Sequence, residues 1–322
     1  MDKAIGGYNQ LELRSGGHYH KDALRLNTAR NCLEYILRVR NYKKVYVPYY
    51  TCEVILEPFN KLDVAYEFYH INEELNIKDD INLTEGEAIL YTNYYGLKQS
   101  SVEQLAKKYG PRLIVDNAQA FFAPRINGID TFYSARKFFG VPDGAYLYID
   151  EELTEELEQD VSYDRMQHLL KRIDLSAEAG YDDFQQVEHE LCNQPIKRMS
   201  KLTEAILCSI NYKKCAQIRR NNYLEFDKSL SDCNGIHLDV DSNAVPLAYP
   251  YLADDVDLRN CLISRRIYVP TYWPNVEDWA GNDAPETLMA NNILPLPIDQ
   301  RCGVEDMNRI INIISNGTNS FV

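Results

Sequence analysis

The chain has 322 residues, of which 45% are hydrophobic and 25% charged, so it has enough apolar sequence for a large buried core. Its formal net charge of −14 argues against non-specific binding to nucleic acid, which needs a basic surface. The eight cysteines form no C-x-x-C pair and have no metal-site spacing with the six histidines, so we expect reduced thiols and no bound metal. Neither a signal peptide nor an apolar run of membrane-spanning length is present, and we expect a cytoplasmic protein without a membrane partner.

The first half of the chain alternates extended and helical patterns. Residues 1–26 are interpreted as an N-terminal arm, and apolar residues at helical spacing predict a helix over 29–39. The further predicted elements are strands at 45–48, 64–69, 88–91, 113–116, 131–134 and 145–149, and helices at 53–59 and 102–109. Short apolar strands alternating with helices predict an α/β fold, with a mostly parallel sheet covered on both faces.

The second half is more charged and more irregular. We predict helices at 151–160 and 162–172, an acidic stretch with loop signals over 174–195, and a long helical segment, with or without a break, over 198–230. Short strands and proline-rich loops follow, before a terminal amphipathic helix at 305–314. The resulting domain prediction is the arm, a large domain over 27–232 that includes the long helix, and a small α+β domain over 233–322.

Asp116 and Lys137 follow two neighbouring predicted strands, at the sheet edge where α/β proteins bind ligands. An acid there can hold the protonated ring nitrogen of pyridoxal phosphate, and a lysine can form an imine with its aldehyde. Four aromatic residues flank Lys137 in sequence and predict an apolar setting that would make it a usable nucleophile. The alternatives are a strand-end Asp116 that caps the next turn and a solvated Lys137 on an edge strand.

The start of the first helix is a candidate anion site. Asn27 or Thr28 is a suitable N-cap, and the amides of Ala29 and Arg30 would point at a phosphate. Ser134 could add a hydroxyl to the same phosphate. An ordinary capped helix explains the segment equally well. The glycine-rich dinucleotide and P-loop motifs and the hydrolase nucleophile elbow are missing from the sequence.

Together these segments resemble the DegT/DnrJ/EryC1/StrS family of pyridoxal-phosphate sugar aminotransferases. The most specific segment is D-N-A-Q-A at 116–120, which is similar to the family's D-x-A-Q-A. The other matching segments are N-T-A-R-N-C-L at 27–33, V-P-Y-Y-T at 47–51, T-N-Y-Y-G at 92–96, the lysine turn at 132–144, R-M-S at 198–200, and L-P-L-P at 294–297 followed by Glu305-Asp306. The resemblance implies fold type I, a mostly parallel seven-stranded sheet between helices with a smaller α+β C-terminal domain.

The resemblance also implies roles for individual residues. Lys137 would be the imine lysine and the acid/base, Asp116 would pair with the ring nitrogen, and Gln119 would contact the phenolic oxygen or the ring face. The remaining implied cofactor contacts are Thr28, Ala29, Arg30, Ser134, Tyr50 and Asn93. The implied reaction is ping-pong transfer of an amino group from an amino acid, expected to be glutamate, to a keto group on a nucleotide-linked sugar. Such a step serves surface-polysaccharide or antibiotic-type sugar biosynthesis, and family members are dimers with shared active sites, so we expect a homodimer.

The chain departs from the family pattern at three site positions. Phe132 replaces the serine five residues before the lysine, and Ile196 replaces an asparagine that reaches the partner subunit's phosphate. Cys52 stands where an aromatic side chain stacks on the cofactor ring, so Tyr50 or Tyr94 would have to substitute for it. Two alternatives follow: a pyridoxal-phosphate enzyme of another reaction type, such as dehydration, against which Lys137 argues, or a protein of this fold that binds a ligand or partner without turnover.

Overall fold

The structure is a computed structural model that describes residues 5–253 and 257–316. Seven strands form the main sheet, in the order β1-β7-β6-β5-β4-β2-β3. The strands are β1 (Leu24–Leu26), β2 (Lys44–Pro48), β3 (Ala65–Tyr69), β4 (Glu87–Thr92), β5 (Leu113–Asn117), β6 (Asp130–Ser134) and β7 (Ala145–Tyr148). Strand β7 runs antiparallel to both neighbours, and the other four pairs are parallel. The predicted α/β class and the mostly parallel seven-stranded sheet are therefore confirmed.

Helices cover both faces of this sheet. The α-helices of the described residues are α1 (Ala29–Arg40), α2 (Glu57–Leu62), α3 (Gln99–Tyr109), α4 (Gln167–Asp174), α5 (Tyr181–Glu190), α6 (Lys201–Ser209), α7 (Tyr212–Leu230), α8 (Leu258–Ser264), α9 (Val276–Ala280), α10 (Pro285–Asn292) and α11 (Val304–Asn316). A second, antiparallel pair of strands, β8 (Ala248–Leu252) and β9 (Ile293–Pro297), lies in the C-terminal part of the chain.

Helix α1 shows how local sequence determines an element. Its N-cap Thr28 accepts a hydrogen bond from the amide of Asn31, and Asn41 ends the helix in the left-handed conformation. Its last turn carries Arg38 and Arg40, which complement the helix dipole. Leu33 and other buried residues of α1 pack on one face of the main sheet, which places the start of the helix at the carboxyl edge of the strands.

The core on the opposite sheet face continues into the C-terminal part of the chain. Val115 of β5 and Tyr91 of β4 belong to the same apolar cluster as Phe226 of α7, Leu296 of β9 and Ile310 of α11. A third cluster surrounds Phe121, Phe138, Tyr133 and Tyr146 near the carboxyl end of β6. The C-terminal part is thus packed directly on the sheet that carries the candidate site.

The observed secondary structure differs from the prediction in four places. Residues 24–26, assigned to the arm, form the edge strand β1. Residues 151–160 are not helical, because their acids at helical spacing repel one another and Glu151 and Glu155 instead bind Arg40 and Arg38 of α1. The stretch at 174–195 contains α5, and the C-terminal part contains α8 to α10 besides its two strands.

The long helical segment is broken, as one of the two options allowed. Helix α6 ends at Ser209, and α7 starts after Asn211, whose side chain accepts a hydrogen bond from the amide of Lys214 at 3.1 Å. A new N-cap at this position separates the two helices.

Candidate active site

Asp116 lies near the end of the central strand β5, paired in register with Thr92 on one side and Phe132 on the other. Because side chains alternate along a strand and Ile114 packs toward α1, Asp116 points to the same face. Its side chain is buried, and the amide of Ala118 donates a 2.7 Å hydrogen bond to Oδ1. Burial raises the pKa of Asp116, while the Lys137 ammonium and the Ala118 amide act in the opposite direction.

Lys137 lies in a tight turn that follows β6, next to β5. The amides of Phe138 and Phe139 both donate to the carbonyl of Ala135, and the amide of Ala135 binds the carbonyl of Gly144. The ammonium acts electrostatically on Asp116, so the structure brings the acid and the lysine predicted from sequence to one edge of the sheet.

The expected apolar setting of Lys137 is not found. The Lys137 side chain is exposed in the single chain. The turn directs its four aromatic neighbours, Phe132, Tyr133, Phe138 and Phe139, into the core instead. The aromatic residues near Lys137 in sequence fix the strand and the turn in the core and do not surround the lysine side chain.

The start of α1 lies beside the lysine turn, because the amide of Gly144 donates to the carbonyl of Asn27 at 2.5 Å. As first residues of a helix, Ala29 and Arg30 have amides without intrahelical acceptors, and within the described residues neither amide donates a hydrogen bond. Ser134 ends β6 on the face of Asp116, at 8% exposure. Two amides and a hydroxyl could therefore meet an anion here.

Two side chains of this anion site are already engaged. The Thr28 hydroxyl donates to Oδ1 of Asn31 at 2.6 Å and accepts from its amide, so it serves as a cap. The guanidinium of Arg30 forms a 2.8 Å ion pair with Glu57. Arg30 can offer its amide to an anion, but its charge is neutralised.

A buried polar atom without a good partner lies next to Asp116. The Thr92 hydroxyl is close enough to lower the pKa of Asp116, yet its Oγ1 is in hydrogen-bond geometry with none of the described residues. Buried hydroxyls usually have a hydrogen-bond partner, so the Thr92 hydroxyl is available to a ligand or water that reaches the acid. A buried acid, an adjacent lysine and free helix amides fit the ring nitrogen, aldehyde and phosphate of pyridoxal phosphate.

The other predicted cofactor contacts lie at the same sheet edge but have protein partners. Oε1 of Gln119 accepts from the amide of Tyr95 at 2.7 Å. Oδ1 of Asn93 accepts from the amide of Lys98 at 2.9 Å, and its side-chain nitrogen donates to Gln99 at 3.3 Å. Both side chains stabilise the turn after β4, so contacts between either residue and a cofactor remain predictions.

Tyr50 is fully buried and packs edge-on against Trp273, with ring centroids 4.6 Å apart. Its ring offers no exposed face to a ligand in the single chain. Cys52, at the family's stacking position, directly precedes a 3-10 turn over Glu53–Leu56 and is partly buried. Phe132 and Ile196, the two other departures, both pack in the core between α1 and the sheet.

Sequence reasoning missed two sets of buried polar contacts that hold the lysine turn. Asp143 is fully buried and accepts hydrogen bonds from the amide and hydroxyl of Ser200, both at 2.8 Å, and from the Thr203 hydroxyl. Arg219 and Gln300 both donate to the carbonyl of Phe138. Arg219 was detectable in principle, since it shares the buried face of α7 with apolar residues at helical spacing.

Comparison with known proteins links this geometry to solved structures. The chain matches no protein-family profile and no curated protein. It is similar to sugar aminotransferase CalS13 from Micromonospora echinospora, at 14% identity over 92% of this chain and 87% of that chain, with a TM-score of 0.62. A DegT DnrJ EryC1 StrS aminotransferase from Brucella abortus gives 14% identity, coverages of 91% and 85%, and a TM-score of 0.59.

A third similar structure is the PLP-form of the putative sugar aminotransferase Spr1654 from Streptococcus pneumoniae. It matches at 15% identity over 90% of this chain and 85% of that chain, with a TM-score of 0.62. The chain has the same fold as these solved structures. At these identities the likeness concerns the fold alone, and it confirms the seven-stranded sheet with its helices that the resemblance implied. The smaller α+β domain over 233–322 and the domain boundaries stay predictions.

The described residues include no helix that is both long and apolar enough to span a membrane. Within the same residues, no group of three or more histidine, cysteine, aspartate or glutamate side chains could hold a metal ion.

Proposed function

We propose that the chain is a pyridoxal-phosphate-dependent aminotransferase that acts on a sugar. The observation that carries this proposal is the pair Asp116 and Lys137, at the ends of adjacent strands, beside the free amides of α1. The shared fold of CalS13 and Spr1654, which are sugar aminotransferases by name, supports the choice of substrate class.

Each residue has a definite task in this proposal. When bound, pyridoxal phosphate supplies an electron-withdrawing ring that stabilises negative charge at the substrate carbon. Asp116 would bind the protonated ring nitrogen, and its burial makes that pairing strong. The amides of Ala29 and Arg30, with Ser134, would bind the phosphate. The amino group of Lys137 would hold the cofactor covalently and carry the proton during transfer.

The finer parts of the proposal concern substrates and assembly. We infer that the acceptor is a keto sugar linked to a nucleotide, that glutamate is the amino donor, and that the protein acts as a cytoplasmic homodimer. The exposure of Lys137 in a single chain supports a second subunit that shields the site, because amine transfer needs water excluded from the reacting groups.

A specific observation favours a second candidate, binding without turnover. Tyr50 has no exposed face, and Gln119 and Asn93 are engaged with backbone amides, so three predicted cofactor contacts would have to rearrange. A protein of this fold that has lost these contacts could still bind a ligand or partner.

The deciding experiment treats purified protein with pyridoxal phosphate and then borohydride, which reduces the carbon–nitrogen double bond and fixes the cofactor covalently. Peptide mass spectrometry should locate the label at Lys137 in the wild type and find none at that position in Lys137→Ala. Lys201→Ala, which removes an exposed lysine at the start of α6, is the matched control and should label normally.

A screen of keto-sugar nucleotides with glutamate follows, with release of 2-oxoglutarate as the readout. Labelling at Lys137 without turnover of any keto sugar would support the binding candidate. Wild type that takes no label would contradict the cofactor assignment itself.

A further inference from the structure

Within the part of the chain that the structure describes, the buried guanidinium of Arg219 donates hydrogen bonds to uncharged groups only. Arg219 is 1% exposed, and no salt bridge to it is found among the described residues. Asp299 acts on it through space, but both carboxylate oxygens of Asp299 bind Arg301, at 2.8 and 2.9 Å. Burial lowers the pKa of Arg219 to about 10, so it stays charged at neutral pH.

The guanidinium contacts both the lysine turn and the C-terminal part of the chain. Nε donates to Oε1 of Gln300 at 3.1 Å, and the terminal nitrogens donate to the carbonyls of Leu247 at 3.0 Å and Phe138 at 3.4 Å. The guanidinium also lies 4.6 Å from the ring centroid of Phe138. Gln300 adds a 2.8 Å hydrogen bond to the same Phe138 carbonyl.

A chain of hydrogen bonds leads from Arg219 to Gln119, another predicted cofactor contact. Leu247, whose carbonyl binds Arg219, donates its amide to the carbonyl of Tyr95 at 2.8 Å. The amide of Tyr95 in turn binds the side chain of Gln119 at 2.7 Å. The turn that carries Lys137 and the turn that carries Gln119 are therefore joined through Arg219 and the C-terminal part of the chain.

Burying a charged group without a carboxylate is costly, and apolar side chains usually stabilise a core as well or better. We propose that Arg219 and Gln300 are positioning residues: they hold the Phe138 carbonyl, and thereby the neighbouring Lys137, at a fixed place relative to Gln119. This inference rests on the proposed function, because a fixed position of Lys137 matters only if its amino group reacts with the cofactor.

The test compares Arg219→Lys and Gln300→Met with a matched control, Arg259→Lys. Among the described residues, Arg259 also donates only to backbone carbonyls, those of Val269, Pro270, Asn291 and Ile293, none of which belongs to the lysine turn. All three variants remove hydrogen bonds in the C-terminal part, so a purely structural role would affect them alike.

Two readouts separate positioning from stability. The first is the rate at which pyridoxal phosphate labels Lys137 at saturating concentration, trapped by borohydride at successive times. We expect this rate to fall about ten- to a hundredfold in Arg219→Lys and Gln300→Met, as misplaced reacting groups do, and to stay near wild type in Arg259→Lys. The second is amide hydrogen exchange of the peptide over 135–141 in the cofactor-free protein, which should accelerate in the first two variants only.

The possible outcomes test the positioning role and the proposed function separately. Wild type that labels at Lys137, with variants that label and exchange like Arg259→Lys, would overturn the positioning role and leave the proposed function intact. Wild type that fails to label would overturn the proposed function and this inference with it. Slower labelling with faster exchange in both site variants, at a melting temperature close to that of the control, supports the positioning role.

Discussion

Replacing Asp116 by asparagine should make the protein more stable and its cofactor binding weaker. Asparagine has nearly the same shape and keeps the Oδ1 acceptor for the 2.7 Å hydrogen bond from Ala118. What it removes is a buried charge, and burial is the largest influence on the raised pKa of Asp116. The attraction that is lost is to Lys137, whose exposed ammonium contributes at most about 1 kcal/mol. We expect the free energy of unfolding at neutral pH to rise by about 1 kcal/mol.

The stability difference between Asp116→Asn and wild type should depend on pH in one direction. Because the pKa of Asp116 is raised in the folded state, the folded protein binds this proton more tightly than the unfolded chain does. Stability from this group is therefore present at low pH and is lost as the pH rises through the folded pKa. The advantage of Asp116→Asn over wild type should appear as the pH rises above about 4 and then stay constant.

The expected loss in cofactor-binding free energy is larger than the expected gain in the free energy of unfolding. A hydrogen bond from the ring nitrogen to a charged acceptor contributes about 1.5–3 kcal/mol, so pyridoxal phosphate should bind about ten- to a hundredfold more weakly. Urea unfolding with and without pyridoxal phosphate measures both quantities, since a bound ligand raises the apparent stability by an amount that grows with the logarithm of its affinity.

Asp130→Asn is the matched control, because Asp130 is equally buried, lies at the opposite end of β6 from the lysine turn, and binds Arg40 through two 2.8 Å hydrogen bonds. The asparagine would lose one of these charge-assisted bonds, and we expect a loss of about 2 kcal/mol without the large loss of cofactor affinity. If Asp116→Asn is destabilised like this control and binds pyridoxal phosphate like wild type, Asp116 is a structural turn cap and the reasoning above is refuted.

Three further predictions concern the frame of the site. Thr28→Ala should lower the free energy of unfolding by about 1 kcal/mol through loss of the α1 cap, whereas Thr28→Ser should not, as chemical denaturation would show. Gly144→Ala should cost about 2 kcal/mol, because Gly144 has φ of +114° and an added Cβ would lie 2.8 Å from the Thr203 methyl; an unchanged melting temperature would contradict the geometry. Burial lowers the pKa of His20 to about 4, so stability should fall as the pH drops from about 6.5 to 4, by up to about 3 kcal/mol; in His20→Gln this pH dependence should disappear.

Much of the sheet was readable from the sequence. The strands near 45–48, 113–116 and 131–134 are short apolar runs between turn signals, and helix α1 carries its own cap and periodicity. Strand β1 was missed because three residues, Leu24–Leu26, carry too little pattern, and only pairing with β7 makes them a strand. The helix predicted at 151–160 was wrong because the basic end of α1, distant in sequence, offers its acids better partners.

The candidate site divides in the same way. That Asp116 and Lys137 lie near the carboxyl ends of two strands was predicted from the sequence alone, since parallel strands bring their carboxyl ends to one edge. That these two strands are adjacent in the sheet comes from the structure. Only the tertiary structure decided that Lys137 is exposed, that Tyr50 is fully enclosed, and that Arg219 binds the lysine turn. A strand can be recognised from the residue pattern of a few consecutive positions. The direction of a side chain and the partners of a buried charge depend on segments far apart in sequence, such as Gln300 and Phe138, which are 162 residues apart, and only packing brings those segments together.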